Sequence, residues 1–234
     1  MRQEDAQRVQ LSSRLLLISL AQFLVGFVVA IALYPGEYRM STNYISELGC
    51  AGRNGAIHAW IFNLSLAIFA VCVCYYFSSI VRATTEGPIE LLVISGCGFL
   101  SSISVLFIAA LPWNVFPHLH NIAMCFWLIW LLPAVSIWIE WRQSATPLVP
   151  GDRQASFAMG KSLRSLVFLF PIAGAFGAGP AMQKVIVLMC LSWLIVFSLH
   201  LKHAIRQGLV HRGLGGRKRK KNSIRYPEPG TYEG

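Results

Sequence analysis

Five long intervals of the 234-residue chain contain no Asp, Glu, Lys or Arg, and this feature constrains the fold more than any other. The intervals are residues 15–36, 54–81, 91–139, 165–183 and 185–201. A helix needs roughly 20 consecutive apolar residues to cross the hydrocarbon core of a bilayer. Charged residues make up only 13% of the chain and hydrophobic residues 55%, whereas a soluble domain carries about a quarter charged residues. The sequence therefore predicts a membrane protein.

We predict an all-α fold, a bundle of six transmembrane helices. Each span must be helical, because an open strand edge in lipid would leave backbone groups unpaired. The predicted spans are residues 15–34, 59–80, 91–111, 122–141, 164–180 and 184–202. The first is interpreted as an uncleaved helix, since its apolar stretch of about 20 residues exceeds that of a signal peptide. Residues 1–14 are predicted to form an N-terminal cytoplasmic segment, and 203–234 a basic, disordered cytoplasmic tail.

The basic residues predict the orientation of the bundle. The chain has 20 Lys and Arg against 10 Asp and Glu, a net charge of +10, and the predicted spans place 17 of the 20 basic residues on one side. Loops rich in Lys and Arg face the cytoplasm. We therefore predict a multi-pass protein of the cell inner (plasma) membrane with both termini cytoplasmic.

The same charge distribution predicts the partners. The basic run Arg217–Lys221 in the tail is expected to attract anionic lipid headgroups, and no nucleic-acid partner is expected. Small residues four apart, such as Gly98 and Ser102, allow helix backbones to approach closely. We interpret them as packing positions within the bundle, with a homodimer contact or a substrate path as the alternatives.

Cofactor motifs are absent from the sequence. The six cysteines have neither zinc-ligand spacing nor a disulfide framework, and no HExxH, GxSxG or P-loop pattern is present. We predict no cofactor.

The unusual polar residues fall in two predicted outer loops. In the first, Asn43 is a plausible N-cap and Gly49 a plausible C-terminal glycine, which bracket a helix of little more than one turn. Its polar face, formed by Asn43, Ser46 and Glu47, is predicted to point toward a cleft. The second loop carries His118 and His120, which could chelate together only if that segment were extended.

These residues make up a candidate site at the extracytoplasmic face. The catalytic candidates are Glu47, His118 and His120. The candidates for substrate binding are Asn43, Ser46, Asn54, His58 and Asn63. Weak candidates for metal ligands are His58, His118 and His120, since imidazole and carboxylate are suitable zinc ligands.

Four interpretations of this site remain open. The residues could cap helices and bind headgroups or water without chemistry, act as general acids, bases or nucleophiles, hold a metal, or gate transport. No Asp, Glu, Lys or Arg lies mid-span, whereas ion-coupled transporters usually need one. Ion-coupled transport is therefore disfavoured, although a carrier for a neutral solute is not.

Several short patterns in the loops resemble a known family. They are Tyr34-Pro35-Gly36, Asn43-Tyr44-Ile45-Ser46-Glu47-Leu48-Gly49, Phe62-Asn63 and Phe116-Pro117 followed by His118 or His120. Over residues 15–200 the chain resembles the domain-of-unknown-function 998 family of prokaryotic multi-pass integral membrane proteins. The resemblance implies roughly six spans and brings no settled activity. The pattern falls on Ser46, Glu47 and Asn63.

The sequence thus predicts a multi-pass integral membrane protein with a candidate polar site at its extracytoplasmic face. One alternative is a membrane-embedded enzyme that acts on lipid or envelope substrates through Glu47 and the outer histidines. Another alternative is a carrier for a small neutral solute.

The predicted orientation is tested by reporter fusions. A reporter that is active only outside the cytoplasm is expected to be active when fused after Asn54 and inactive after Gln154, because the first position lies in a predicted outer loop and the second in a predicted inner loop. The reverse pattern of activity would contradict the predicted orientation.

Overall fold

The computed structural model describes residues 3–51, 57–83, 89–145 and 179–206. These residues form five long α-helices and one short 3-10 helix, and contain no strand. The long helices are α1 (Gln3–Ala32), α2 (Ile57–Ala83), α3 (Ile89–Ala110), α4 (Pro117–Ala145) and α5 (Gly179–Arg206). The 3-10 helix spans Ile45–Gly49. The prediction of an all-helical fold is confirmed for this part of the chain.

All five long helices are long and apolar enough to cross a membrane. Large apolar side chains also point away from the bundle; Ile18, Val25 and Leu188, for example, are 66%, 64% and 64% exposed. A protein in water rarely leaves so much apolar surface uncovered, whereas lipid tails solvate it readily. The helices thus have the character of a membrane-embedded bundle.

Each of the five long helices is longer than its predicted span. Helix α1 begins at Gln3 rather than at residue 15, so most of the predicted N-terminal segment is helical. Helix α5 begins at Gly179 rather than at residue 184. The reason is Pro180, which lacks a backbone N–H and is well suited to the first turn of a helix. The predicted start of the last span at residue 184 is therefore five residues too late.

Other predicted segments fall outside the described residues. They include the predicted span 164–180, except for its last two residues, which open α5. The predicted tail begins within α5, since that helix continues to Arg206, and residues 207–234 lie outside the described part of the chain.

An aromatic cluster packs α2, α4 and α5 together at one end of the bundle. Its members Tyr76, Phe77, Trp138, Trp193 and Phe197 are each at most 2% exposed. Phe197 stacks on Trp193 with ring centroids 5.6 Å apart, and Trp193 meets Trp138 edge-on at 6.2 Å. Such ring pairs add about 0.5–1.5 kcal/mol each beyond the burial of their surface.

Buried serines in α3 satisfy their hydroxyl groups within the helix. Ser95, Ser102 and Ser104 each donate to the carbonyl oxygen four residues earlier, at 2.7, 2.7 and 3.1 Å. A serine hydroxyl bonded in this way leaves no unpaired donor in an apolar environment. These serines are therefore compatible with a membrane helix and do not by themselves mark a site.

Helices α2 and α3 approach closely at Gly98. A Cβ atom at this position would lie 2.5 Å from two atoms of the Phe77 ring. Phe77 is only 2% exposed and is held by Tyr76 and Phe197, so its ring has little room to move. This contact matches the interpretation of Gly98 as a packing position within the bundle.

Replacing Gly98 tests this packing. We expect Gly98→Ala to destabilise the protein by about 1–3 kcal/mol, because the added methyl group overpacks a rigid interface. Gly96→Ala is the matched control on the same helix: a Cβ there meets nothing within 4 Å, so stability should stay unchanged or rise by up to about 1 kcal/mol. Thermal unfolding of both variants in detergent measures the difference, and equal midpoints would contradict the account.

Candidate functional site

The loop that connects α1 to α2 folds over one end of the bundle. We call residues 34–51 of this loop the cap. Asn43 and Glu47 organise it from within: the Asn43 Nδ2 atom donates to Glu47 Oε2 at 2.7 Å, and the Tyr44 backbone N–H donates to Glu47 Oε1 at 2.7 Å. Asn43 Oδ1 also accepts the Arg39 backbone N–H at 2.8 Å.

This network corrects the predicted start of the short helix. The residue that precedes it is Tyr44 rather than Asn43, the helix is of the 3-10 type, and Gly49 is its last residue. The side chain of Glu47 reaches back to the Tyr44 backbone N–H, which is the carboxylate half of a capping box. A short helix at a loop bend is stabilised in this way without a serine or threonine cap.

The negative charge of Glu47 contributes to a raised pKa in two neighbouring tyrosines. Burial raises the pKa of Tyr38 to about 12, with Glu47 and then Tyr34 as further causes. The pKa of Tyr34 is also raised, first by burial and then by the Glu47 charge. Both phenols therefore keep their protons at neutral pH and can donate hydrogen bonds. The other carboxylate of the cap, Glu37, forms an exposed ion pair with Arg39 at 2.8 Å.

Three side chains, two from α2 and one from the turn between α3 and α4, hold the end of the cap in place. The Asn63 Nδ2 atom in α2 donates to the Gly49 carbonyl oxygen at 3.0 Å. The His58 Nε2 atom pairs with the Cys50 carbonyl oxygen at 3.1 Å, and Asn114 Nδ2 donates to the Ala51 carbonyl oxygen at 3.1 Å. We call these three hydrogen bonds to consecutive carbonyls the clamp.

Glycine is required at the first position of the clamp. A Cβ atom on Gly49 would lie 2.5 Å from Asn63 Oδ1 and 3.3 Å from the Phe62 ring. Any larger residue would push the cap away from α2 and lengthen the Asn63–Gly49 hydrogen bond. The sequence pattern that ends in Gly49 and continues in Phe62-Asn63 thus corresponds to a physical contact.

Helix α5 holds the other side of the cap. The Gln183 Oε1 atom accepts the Ile45 backbone N–H at 2.8 Å. The Lys184 ammonium donates to the carbonyl oxygens of Asn43 and Pro180 and lies 5.5 Å from the centre of the Tyr38 ring. The cap is therefore bound both by α2 and by α5.

A cavity of about 130 Å3 lies beneath the cap, among the helices. Most of its lining is apolar, with side chains such as Leu66, Phe69, Val105, Met124 and Val187. Its polar lining residues are Ser46, Asn63, Ser101, Ser102, His120 and Gln183.

The polar residues are concentrated at the end of the cavity next to the cap. Ser46 belongs to the cap itself, while His120 and Gln183 lie near the starts of α4 and α5. The two deeper serines use their hydroxyl groups within the bundle, since Ser102 donates to Gly98 O at 2.7 Å and Ser101 to Trp127 O at 3.5 Å. The cavity therefore has a polar end and an apolar body.

His120 is oriented by the turn between α3 and α4. Its Nδ1 atom lies 2.7 Å from the carbonyl oxygen of Leu111, and its side chain is 4% exposed. A carbonyl oxygen only accepts, so Nδ1 must carry the proton, and in the neutral ring Nε2 is then an acceptor. Among the described residues no group pairs with Nε2.

Asn63 and Gln183 share this arrangement with His120. Each of the three side chains uses one polar atom to bind a backbone group, and each lines the cavity. The backbone partner fixes the assignment: Asn63 must present its amide nitrogen to a carbonyl, and Gln183 its oxygen to an N–H. Asn63 Oδ1 and Gln183 Nε2 have no hydrogen-bond partner within the described part of the chain.

The predicted site residues thus separate into groups. Ser46, Asn63 and His120 meet at the polar end of the cavity. Asn43 and Glu47 serve the internal network of the cap, and neither belongs to the lining of the cavity. Their roles in catalysis or substrate binding stay predictions, as does the role of Asn54, which lies outside the described residues.

The histidines do not share one environment. His58 is buried and pairs with the cap, with its ring edge-on to Tyr34 at 5.5 Å. His118 and His120 both lie in the first turn of α4, where residues two apart diverge by about 200°; His118 is exposed and His120 buried. In the described ranges no group of three or more His, Cys, Asp or Glu side chains could hold a metal ion.

Sequence reasoning missed two residues of this region, Gln183 and Asn114. Gln183 lies between the predicted spans 164–180 and 184–202, although Pro180 signals that a helix has already begun. With the helix start corrected, a glutamine one turn into an apolar helix stands out as a polar residue that needs a partner. The role of Asn114 depends on a contact 63 residues away along the chain, which no local pattern indicates.

Comparison with protein families, with curated proteins and with solved structures finds no match for the chain.

The clamp makes a prediction about Cys50, a free cysteine in the cap. Burial raises the pKa of its thiol, with Glu47 as a smaller cause in the same direction, while backbone N–H groups of Asn114 and Trp113 lower it. Opening of the cap removes the burial, lowers the pKa and increases the reactive thiolate fraction at neutral pH. We expect Asn63→Leu to speed the labelling of Cys50 by a maleimide by about tenfold or more, because Gly49 O loses its partner.

The measurement uses the full chain with the other five cysteines replaced by alanine. Asn114→Ala is the control, because it removes a similar hydrogen bond at an exposed position, where the expected acceleration is no more than about threefold. An unchanged labelling rate in Asn63→Leu would show that the clamp does not hold the cap.

Proposed function

We propose that the protein is a multi-pass protein of the cell membrane that binds an amphiphilic molecule in the cavity beneath the cap. The polar group of the ligand lies against Ser46, Asn63, His120 and Gln183, and its apolar part extends between the helices. The observation that carries this proposal is the division of one cavity into a neutral polar end and an apolar body. Ligand sites typically combine mostly apolar walls with a few polar groups that orient the ligand.

The position of the cavity supports a ligand that arrives from the membrane. The cap end also presents Trp60 and Trp113, which are 73% and 47% exposed. Tryptophan is enriched at membrane–water interfaces, where its ring meets both lipid and headgroups. We therefore place the polar end of the cavity at the depth of the headgroups, and by the charge distribution at the extracytoplasmic side.

The proposal includes six spans with both termini in the cytoplasm. Helices α4 and α5 both begin at the cap end, since His120 and Gln183 line the same polar end of the cavity. Two successive helices that point the same way need one further crossing between them. The predicted span 164–180 would supply this crossing. The resemblance to the domain-of-unknown-function 998 family is also part of the proposal.

An enzyme that acts on lipid or envelope substrates is the second candidate. The observation that favours it is the Nε2 atom of His120, an unpaired acceptor in the cavity that could serve as a general base. In that case His120 is the general base, and Glu47 stabilises the cap through its hydrogen bonds. A carrier for a small neutral solute would use the same polar end, but no feature of the cavity favours it over a binding site.

Filling the cavity tests the proposed function. Val187 in α5 lines the cavity, whereas Val185 on the same helix is 43% exposed on its outer surface. We expect Val187→Trp to reduce the amount of lipid that remains bound to the purified protein by about tenfold, because the indole occupies the space of the ligand. Val185→Trp should retain the wild-type amount.

Native mass spectrometry of the full chain, released from mild detergent, measures the bound lipid. Thermal unfolding of both variants checks that the fold is retained. Equal lipid occupancy in Val187→Trp and Val185→Trp would contradict a binding site in this cavity.

A further inference from the structure

We infer that the ligand of this cavity is an uncharged amphiphile whose polar end carries a free hydroxyl group, the chemistry of a monoacylglycerol or a long-chain alcohol. This inference rests on the proposed function and specifies its ligand. It follows from the charges that line the cavity, from the unpaired atoms at its polar end and from the length of its apolar wall.

The composition of the lining indicates that the polar head of the ligand is uncharged. None of the described residues that line the cavity is an Asp, Glu, Lys or Arg. The nearest charged side chains in the cap region, Glu47 and Lys184, are engaged with the cap itself and are not part of the lining. A phosphate or an ammonium group in this cavity would lose its hydration without gaining a partner of opposite charge, which is costly in an apolar environment.

The unpaired atoms indicate a hydroxyl group. His120 Nε2 accepts a hydrogen bond, and Gln183 Nε2 donates one. An ether or ester oxygen would satisfy only the donor and would leave His120 Nε2 unpaired. A hydroxyl group both donates and accepts, so it is the smallest uncharged group that meets both His120 and Gln183.

The apolar wall indicates a linear chain. Helix α5 lines the cavity from Gln183 to Leu194, which corresponds to about 16 Å at 1.5 Å per residue. Most of the residues that line the cavity along this length are apolar, so the apolar wall is elongated. A single acyl or alkyl chain fits such a shape better than a ring system does.

Three lipids with the same oleoyl chain test the inference on the full-length protein. They are 1-monooleoylglycerol, its 2,3-dimethyl ether and 1-oleoyl lysophosphatidate, which offer a hydroxyl head, an acceptor-only head and a charged head. Titration with native mass spectrometry gives the dissociation constant of each. We expect 1-monooleoylglycerol to bind at least about tenfold more tightly than either of the others, because a site with an unpaired buried acceptor rejects a ligand that cannot donate to it.

A substitution of His120 identifies the atom responsible. In His120→Phe the shape of the ring is kept, while both ring nitrogens, and with them the Nε2 acceptor, are removed. The preference for 1-monooleoylglycerol over its dimethyl ether should fall to about twofold or less. Thermal unfolding checks the fold of this variant. If it does not fold, the comparison of the three lipids on the wild-type protein decides.

The outcomes separate the inference from the proposed function. Equal binding of 1-monooleoylglycerol and its dimethyl ether, or tighter binding of lysophosphatidate, would overturn the hydroxyl assignment and leave the amphiphile site standing. An unchanged preference in a folded His120→Phe protein would overturn the assignment as well. Binding of none of the three lipids, together with no lipid in the protein as purified, would overturn the proposed function itself.

Discussion

The backbone carbonyls of Gly49, Cys50 and Ala51 impose the constraint on which the cap end of the molecule depends. Gly49 is buried and Cys50 is half-buried, so their carbonyl oxygens find little water and need a partner within the protein. Here each carbonyl accepts a hydrogen bond from a side chain of a separate position, Asn63, His58 and Asn114. These hydrogen bonds fix the position of the cap relative to the helices.

The hydrogen bonds to the backbone also determine which polar atoms of the lining side chains remain free to bind a ligand. A side chain with two polar atoms can bind a backbone group with one and present the other to a ligand. Asn63, His120 and Gln183 each bind a backbone group with one polar atom, and all three residues line the cavity. Such preorganised groups lose little conformational freedom when a ligand binds. The polar end of the cavity is thus a consequence of how the cap and the helix turns are held.

The sequence predicted the helices more completely than the site. Charge-free intervals give the long helices because lipid leaves the backbone no other partner than itself. They do not give the helix ends: α1 begins before its charge-free interval because charged residues near a membrane helix still propagate it, and α5 begins early because Pro180 suits the first turn of a helix. Ser46, Asn63 and His120 were found as unusual polar residues next to apolar spans, and they do line one cavity. The contacts of Gln183 and Asn114 join positions 138 and 63 residues apart, which periodicity and spacing do not encode.

The contacts of Glu47 in the structure differ from the catalytic role that the sequence predicts for it. Glu47 is one of few acidic residues in the predicted outer loops, yet its carboxylate is an acceptor for Asn43 and Tyr44 within the cap.

A structure of the full chain in a lipid nanodisc tests the central claim most directly. The account predicts the cap closed on Asn63 and Gln183, with elongated density in the cavity whose polar end lies within hydrogen-bond distance of His120 Nε2. A cap displaced from α2 and α5, with Glu47 turned toward His118 and His120, would contradict it.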